Sequence, residues 1–206
     1  VATGAERLVW IDCEMTGLDL GVDEIVEVAV VITDYDLIPV DPGFDIVIKP
    51  DDSALANMNE VVTNMHTDSG LIDEIPHGVS LADAEFKVLE YIQRFVPNGG
   101  QAPLAGNTIG TDRAFLSKYM PRVDGYLHYR SVDVSSIKEL ARRWFPRIYF
   151  NAPAKAGGHR ALADILESIR ELDYYRKAAF VAPPGPSTEQ VQAVSAAVVE
   201  EFASRL

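Results

Sequence analysis

A second cysteine is missing from this 206-residue chain, so Cys13 has no partner for an internal disulfide, which agrees with a reducing compartment. Long apolar runs are missing as well. None exceeds five residues, as at Val28 to Ile32, whereas a membrane-spanning helix needs about twenty. The stretch from Val1 to Arg7 lacks the apolar segment of a secretory signal, and the resulting expectation is a cytoplasmic protein without a membrane partner. Basic residues are scarce: 18 Lys and Arg stand against 31 Asp and Glu, a formal net charge of −13. Proteins that grip long nucleic acids gain affinity by releasing counterions from phosphates, and they are usually basic. This chain repels long polyanions, so any nucleic acid it handles is short, or is held locally through metal ions and a few arginines. What is present is a globular composition, 48% apolar and 24% charged, which excludes a disordered chain. The length suits one domain with a real core.

The chain begins with strands and turns to helices. Leu8 to Met15, Ile25 to Asp34 and Phe44 to Lys49 read as strands joined by loops rich in Gly, Asp and Pro. One or two short helices are expected between Asp51 and His66. Ser80 is a candidate N-cap for a helix with apolar Leu81, Ala84, Val88, Ile92 and Phe95. A short strand near Pro103 to Ala105 leads to a helix from about Thr111, and a strand near Tyr129 to Asp133 leads to a helix from Ser135 to Trp144. Pro146 to Gly158 reads as a loop before a longer helix starting near His159, with an apolar stripe of Leu162, Ile165, Ile169 and Leu172. Ala182 to Ser187 reads as a linker, and Ser187 with Gln190 as a capping box for a last helix. The expected organisation is one unit over 1–181 followed by a linker and helical tail over 182–206, in a mixed α/β fold.

Carboxylates occupy positions where a core belongs. Alternation along Leu8 to Met15 puts Asp12 and Glu14 on the face of Leu8 and Trp10, with Val9, Ile11, Cys13 and Met15 on the other. A strand apolar on both faces is normally central and buried, so two carboxylates at its C-terminal end either emerge into solvent or face something cationic. Asp112 shares a helical face with Phe115, Leu116 and Tyr119. The helix dipole also favours an acid in a first turn, so Asp112 alone fits a structural or a functional role. His159 and Asp164 would lie roughly 140° apart on a regular helix, which places His159 on the preceding loop, where Gly157 and Gly158 allow it to move. If Asp12, Glu14, Asp112 and Asp164 converge, each close pair repels by about 4 kcal/mol at 4 Å and an effective dielectric near 20. Hard divalent cations reward such clustering, and two of them form the usual apparatus for attack on a phosphodiester.

Asp12-x-Glu14, Asp112 and His159-x4-Asp164 resemble the DEDDh 3′-to-5′ exonucleases. The likeness narrows to the oligoribonuclease branch through Trp10 to Leu18, His66 to Leu71, Gly106-Asn107, His128 to Arg130, Asp133 to Arg143 and the His159 segment. It runs from about Leu8 to Phe180. The resemblance implies an α/β fold with a ribonuclease-H-like mixed sheet flanked by helices. It also implies a homodimeric, metal-dependent enzyme that hydrolyses very short RNAs, chiefly 5′-phosphorylated dinucleotides such as pGpG, to 5′-mononucleotides. In that reading Asp12, Glu14, Asp112 and Asp164 hold two Mg²⁺ or Mn²⁺ ions, and His159 is the general base, a task that suits histidine as a residue type. Leu18 wedges between the two bases. Tyr129 stacks a base from the other protomer, and His66, Thr108, Arg130 and Ser135 cap the 5′ phosphate, the last two again in trans. The main chain of Met15, Thr16, Gly17 and Leu18 holds the 3′ nucleotide. Read without the family, Leu18 is an ordinary loop leucine, and Tyr129 and Arg130 are packing and a solvated charge. Val61, Thr108 and Gly158 depart from the family pattern, at none of the five catalytic positions. The rival readings are a related nuclease that trims longer chains, and a silent module that binds dinucleotides.

Overall fold

The computed structural model describes residues 6–154, 157–203 and 205; the outermost ends of the two expected units, and 155–156 of the expected loop, lie outside the described residues. Strand β1 (Arg7–Met15) runs through the middle of a five-stranded sheet of order β3-β2-β1-β4-β5. β2 (Ile25–Asp34) pairs antiparallel with β1, and β3 (Phe44–Val47) antiparallel with β2. β4 (Pro103–Gly106) lies parallel to β1, and β5 (His128–Asp133) parallel to β4. The sheet is therefore mixed, as expected, and β1 is buried on both faces.

The two faces of β1 separate as the alternation requires. Val9, Ile11, Cys13 and Met15 enter one core with β2 and helix α4 (Leu81–Phe95). Leu8 and Trp10 enter the other with helix α9 (Ala161–Ala179), through Ile165, Ile169 and Leu172. The Trp10 indole N–H reaches the Thr33 hydroxyl at 2.9 Å, so this fully buried ring leaves no donor unpaired. Beside Glu14 the β1–β2 register shifts by one residue, a device that re-aims a side chain at a strand end.

Between β3 and α4 stand α1 (Asp52–Asn57), α2 (Glu60–Asp68), α3 (Leu71–Glu74) and a 3₁₀ turn (Ile75–His77). α5 (Gly110–Tyr119) and α6 (Pro121–Tyr126) follow β4, while α7 (Val134–Trp144) and α8 (Pro146–Phe150) follow β5. Ser80 caps α4 by accepting the Asp83 N–H at 3.1 Å. The segment expected as a loop from Pro146 instead begins with α8. Pro at the first helical position has a preset φ and no N–H to lose, so the same residue that signals a loop also starts a helix, here and at Pro121. β3 stops at Val47 rather than Lys49, and Ile48 makes only an isolated bridge to Val79.

The last helix, α10 (Thr188–Ala203), opens with the Ser187–Gln190 capping box, the Ser187 N–H donating to Gln190 Oε1 at 2.8 Å. None of its described residues is buried. Among the described residues no helix is long and apolar enough to cross a membrane. Since α10 contributes nothing to either core, deleting 182–206 is expected to shift stability by no more than about 0.5 kcal/mol. Urea denaturation of the shortened and full chains checks this, and a larger loss would tie the tail to the main unit.

Candidate active site

The C-terminal end of β1 presents Asp12 and Glu14 on one face, and the first turn of α9 brings Asp164 against them. Ligand oxygens of the three lie within 4.8 Å of one another. They line a cavity of about 740 Å³, together with Asp112, His159 and Leu18. Burial raises the Asp12 carboxyl to about 9, with the charges of Asp112, Glu14 and Asp164 adding to it. Glu14 is raised to about 8, again mainly by burial and then by Asp164 and Glu27, against a smaller opposing pull from Arg160. Carboxylate oxygens crowded at this separation are the all-oxygen donor set that a hard divalent cation requires, and its charge would relieve their repulsion.

Asp112 sits on the same cavity wall but outside this trio. Its Oδ1 accepts the Cys13 N–H at 3.0 Å, which ties the first turn of α5 to β1. Burial lifts its carboxyl to about 6 despite that hydrogen bond. His159 is exposed on the loop before α9, as the helical angle requires, with a left-handed φ of +47°. Gly157, two residues earlier, is also left-handed at +68°. Such backbone at a non-glycine residue costs on the order of 1–3 kcal/mol and concentrates at functional sites.

The loop after β1 is folded around Asp23, which is nearly buried. Its Oδ1 accepts the Thr16 hydroxyl at 3.0 Å and its Oδ2 the Asp19 N–H at 2.8 Å. Gly17 is needed there, because a Cβ would stand 2.3 Å from Asp23 Oδ2. Leu18 is thereby held out at the cavity, 76% exposed. Met15 and Gly17 also line the cavity, while Thr16 is buried and serves the turn.

Two expected contacts need correction. His66 is fully buried and does not reach the cavity. Its Nε2–H donates to the Met15 carbonyl at 2.8 Å, and its Nδ1 lies 4.0 Å from Glu14 Oε2 without a hydrogen-bond partner among the described residues. Packed under the strand end, it braces the Met15 carbonyl and stands beside Glu14. Ser135, expected from a partner subunit, sits in the same chain as Thr108, with the two hydroxyls 3.0 Å apart. The Asp133 carboxylate explains this, since its Oδ1 accepts both the Thr108 and Ser135 N–H groups, at 3.0 and 2.8 Å. Tyr129 and Arg130 do not line this chain's cavity. Tyr129 is 74% exposed on β5, with the Arg130 guanidinium 5.3 Å from its ring centre.

Sequence reasoning missed Glu27 and Arg160. Glu27 is only 1% exposed near the start of β2, where Arg160 binds its Oε1. The signal was a single acid inside the otherwise apolar run from Ile25 to Ile32. Asn107 was also left without a role; its side chain joins Ser135 Oγ to Ser168 Oγ, at 2.9 and 2.8 Å.

An exonuclease family model, RNase_T, matches residues 9–172. Structures of exonuclease I share the fold: that of the Escherichia coli enzyme bound to single-stranded DNA superposes with a TM-score of 0.65 at 14% identity, over 84% of this chain. The enzyme from Methylocaldum szegediense gives 0.63 at 19% identity, also over 84%. This chain spans 41% of each of those longer chains. Family match and ribonuclease-H-like sheet thus place the protein among the exonucleases. The oligoribonuclease of Leifsonia xyli is 74% identical over the full length of both chains, and that of Mycobacterium avium 61% identical over 95% of this chain and 91% of its own. The chain belongs to the oligoribonuclease family.

Two outcomes follow from this geometry. The folded-state values of Asp12 and Glu14 stand above the usual carboxylate range, so without metal their contribution to stability is full at acid pH and lost as pH rises toward about 8 to 9. Tm of EDTA-treated protein is expected to fall across that window, with a shallower slope in Glu14→Gln and a larger gain on adding Mn²⁺ at the alkaline end. A flat metal-free profile would count against the crowded site. His66→Ala is expected to lose about 1–3 kcal/mol in urea denaturation, because it leaves a buried carbonyl unpaired. Its preference for 5′-phosphorylated over unphosphorylated dinucleotide should not change, and loss of that preference would restore His66 to the phosphate.

Proposed function

We propose that this protein is a 3′-to-5′ exoribonuclease that hydrolyses very short RNAs, chiefly 5′-phosphorylated dinucleotides such as pGpG, to 5′-mononucleotides, acting as a cytoplasmic homodimer. The observation that carries the reading is the convergence of Asp12, Glu14 and Asp164 on one cavity with His159 at its edge. Asp12, Glu14 and Asp164, with Asp112 beside them, would hold two Mg²⁺ or Mn²⁺ ions, which acidify water and neutralise charge on a phosphodiester. His159 takes the proton of the attacking water as phosphorus gains that oxygen and the bond to the leaving 3′ oxygen breaks. Its exposed, left-handed loop position lets the imidazole approach the scissile phosphate from the solvent side.

The remaining residues set length. Leu18, held rigid by the Asp23 turn, separates the two bases. The paired hydroxyls of Thr108 and Ser135 receive the 5′ phosphate in cis. Tyr129 and Arg130 come from the second protomer, the tyrosine stacking a base for about 1–3 kcal/mol. Their exposure on an edge strand, off their own chain's cavity, supports this assignment. A phosphate cap rewards a terminal group and leaves no path for a longer 5′ chain. The charge of −13 suits a substrate that needs no basic track.

A time course on 5′-labelled dinucleotide, heptamer and twenty-nucleotide RNA, with Mg²⁺ and with EDTA, tests the reading. The dinucleotide is expected to disappear fastest and only with metal, and His159→Ala to lower kcat about 10²–10⁴-fold. Faster trimming of the long chain would make the protein a general exonuclease, and tight dinucleotide binding without cleavage would make it a silent module.

A further inference from the structure

Buried Glu27 lies directly opposite Glu14 in the β1–β2 register. An uncompensated second carboxylate there would worsen the crowding at the cavity, yet both of its oxygens are engaged from the far side. Oε1 accepts Nε and Nη2 of Arg160 at 3.1 and 2.9 Å, and Oε2 accepts the N–H of Ala161, the first residue of α9, at 3.1 Å. The same guanidinium turns its remaining donors to Glu74, at 2.8 and 3.3 Å. Arg160 is flanked by His159 on one side, and its own carbonyl accepts the N–H of Asp164 at 3.0 Å to open the helix ladder on the other. Upstream, a Cβ at Gly157 or Gly158 would meet nothing within 4 Å, whereas on the α9 side Arg160 and Ala161, the two residues after His159, are both bonded to Glu27.

We infer that Glu27 and Arg160 are positioning residues: their pair fixes the junction of loop and helix, and thereby the placement of His159 and Asp164 relative to Asp12 and Glu14. A buried ion pair is a poor source of net stability, because desolvation offsets its attraction. It does specify one geometry, since the planar fork meets Glu27 and Glu74 together and a lysine ammonium cannot copy that. Residues that hold ligands from behind alter metal affinity or turnover by about 10- to 100-fold when removed.

This inference rests on the exoribonuclease reading for one of its two readouts. Arg160→Met and Arg160→Lys would be compared with the unaltered protein by circular dichroism, Mn²⁺ titration calorimetry and steady-state hydrolysis of 5′-phosphorylated dinucleotide. Arg160→Met is expected to fold, to bind Mn²⁺ about 10-fold more weakly and to lose about 10- to 100-fold in kcat with little change in KM. The lysine variant, keeping charge without the fork, should fall between. A folded Arg160→Met variant whose Mn²⁺ affinity and kcat both stay within about twofold of the parent, far inside the range for such support, would overturn the inference, whatever its Tm. Should methionine prevent folding, the same two measurements on the lysine variant decide in the same way. If the unaltered protein left dinucleotides uncut, the exoribonuclease reading would fall, while Mn²⁺ affinity would still decide the anchoring role.

Discussion

Repulsion among carboxylates held in a partly dry cleft is the constraint around which this structure is arranged. The charge of Asp164 makes Asp12 and Glu14 harder to ionise, Glu14 adds to the rise at Asp12, and burial contributes the larger share at both. Folding gains nothing from such a cluster, so the scaffold must hold it by other means. Strand β1 is fixed by a core on each face, and its alternation leaves the acids no choice of side. Helix α9 is fixed by its apolar stripe and by the hydrogen bond from its first amide to Glu27. Glu27 shows both sides of the problem: its charge adds to the crowding at Glu14, while its hydrogen bonds hold the element that delivers Asp164.

Much of this arrangement was legible in the sequence, and the parts that were not share a cause. The faces of β1, the caps at Ser80 and Ser187, and the loop position of His159 follow from periodicity and local hydrogen bonding. Asp12, Glu14 and Asp112 were readable as acids in apolar company, and Asp164 through its spacing from His159. Helix α8 was obscured because proline marks both a loop and a helix start. His66, Ser135, Glu27 and Arg160 depend on partners far away along the chain, and no local pattern reports such pairings. A histidine two residues from the end of a short helix carries no local sign of burial, and only the packed fold shows it lying under Met15. The family resemblance supplied residue types without saying which were exposed or adjacent, so the burial of His66 and the pairing of Ser135 with Thr108 had no sign in it.

The acids and the other residues of the cavity are carried by different kinds of structure. The acids stand on a central strand and the first turn of a long helix, elements whose backbones are locked by regular hydrogen bonding. Leu18, Thr108 and His159 stand on turns, each held by a nearby polar residue or an unusual backbone angle: Asp23 for the first, Asp133 and a φ of +54° for the second, a φ of +47° for the third. The turns can therefore vary in side chain without moving the acids. Thr108 is such a turn position on the cavity wall, while Val61 reaches the same wall from helix α2.

Helix α9 packs on β1, β2, β3 and β4, and so closes the sheet with one of the last segments of the fold. Asp12 and Glu14 come from its first strand, and Asp164 from this late helix. An emerging polypeptide thus holds only part of its acidic set until almost the whole fold has been synthesised. Assembly of the acidic trio waits on α9, so a copy cut short before this helix carries Asp12 and Glu14 without Asp164.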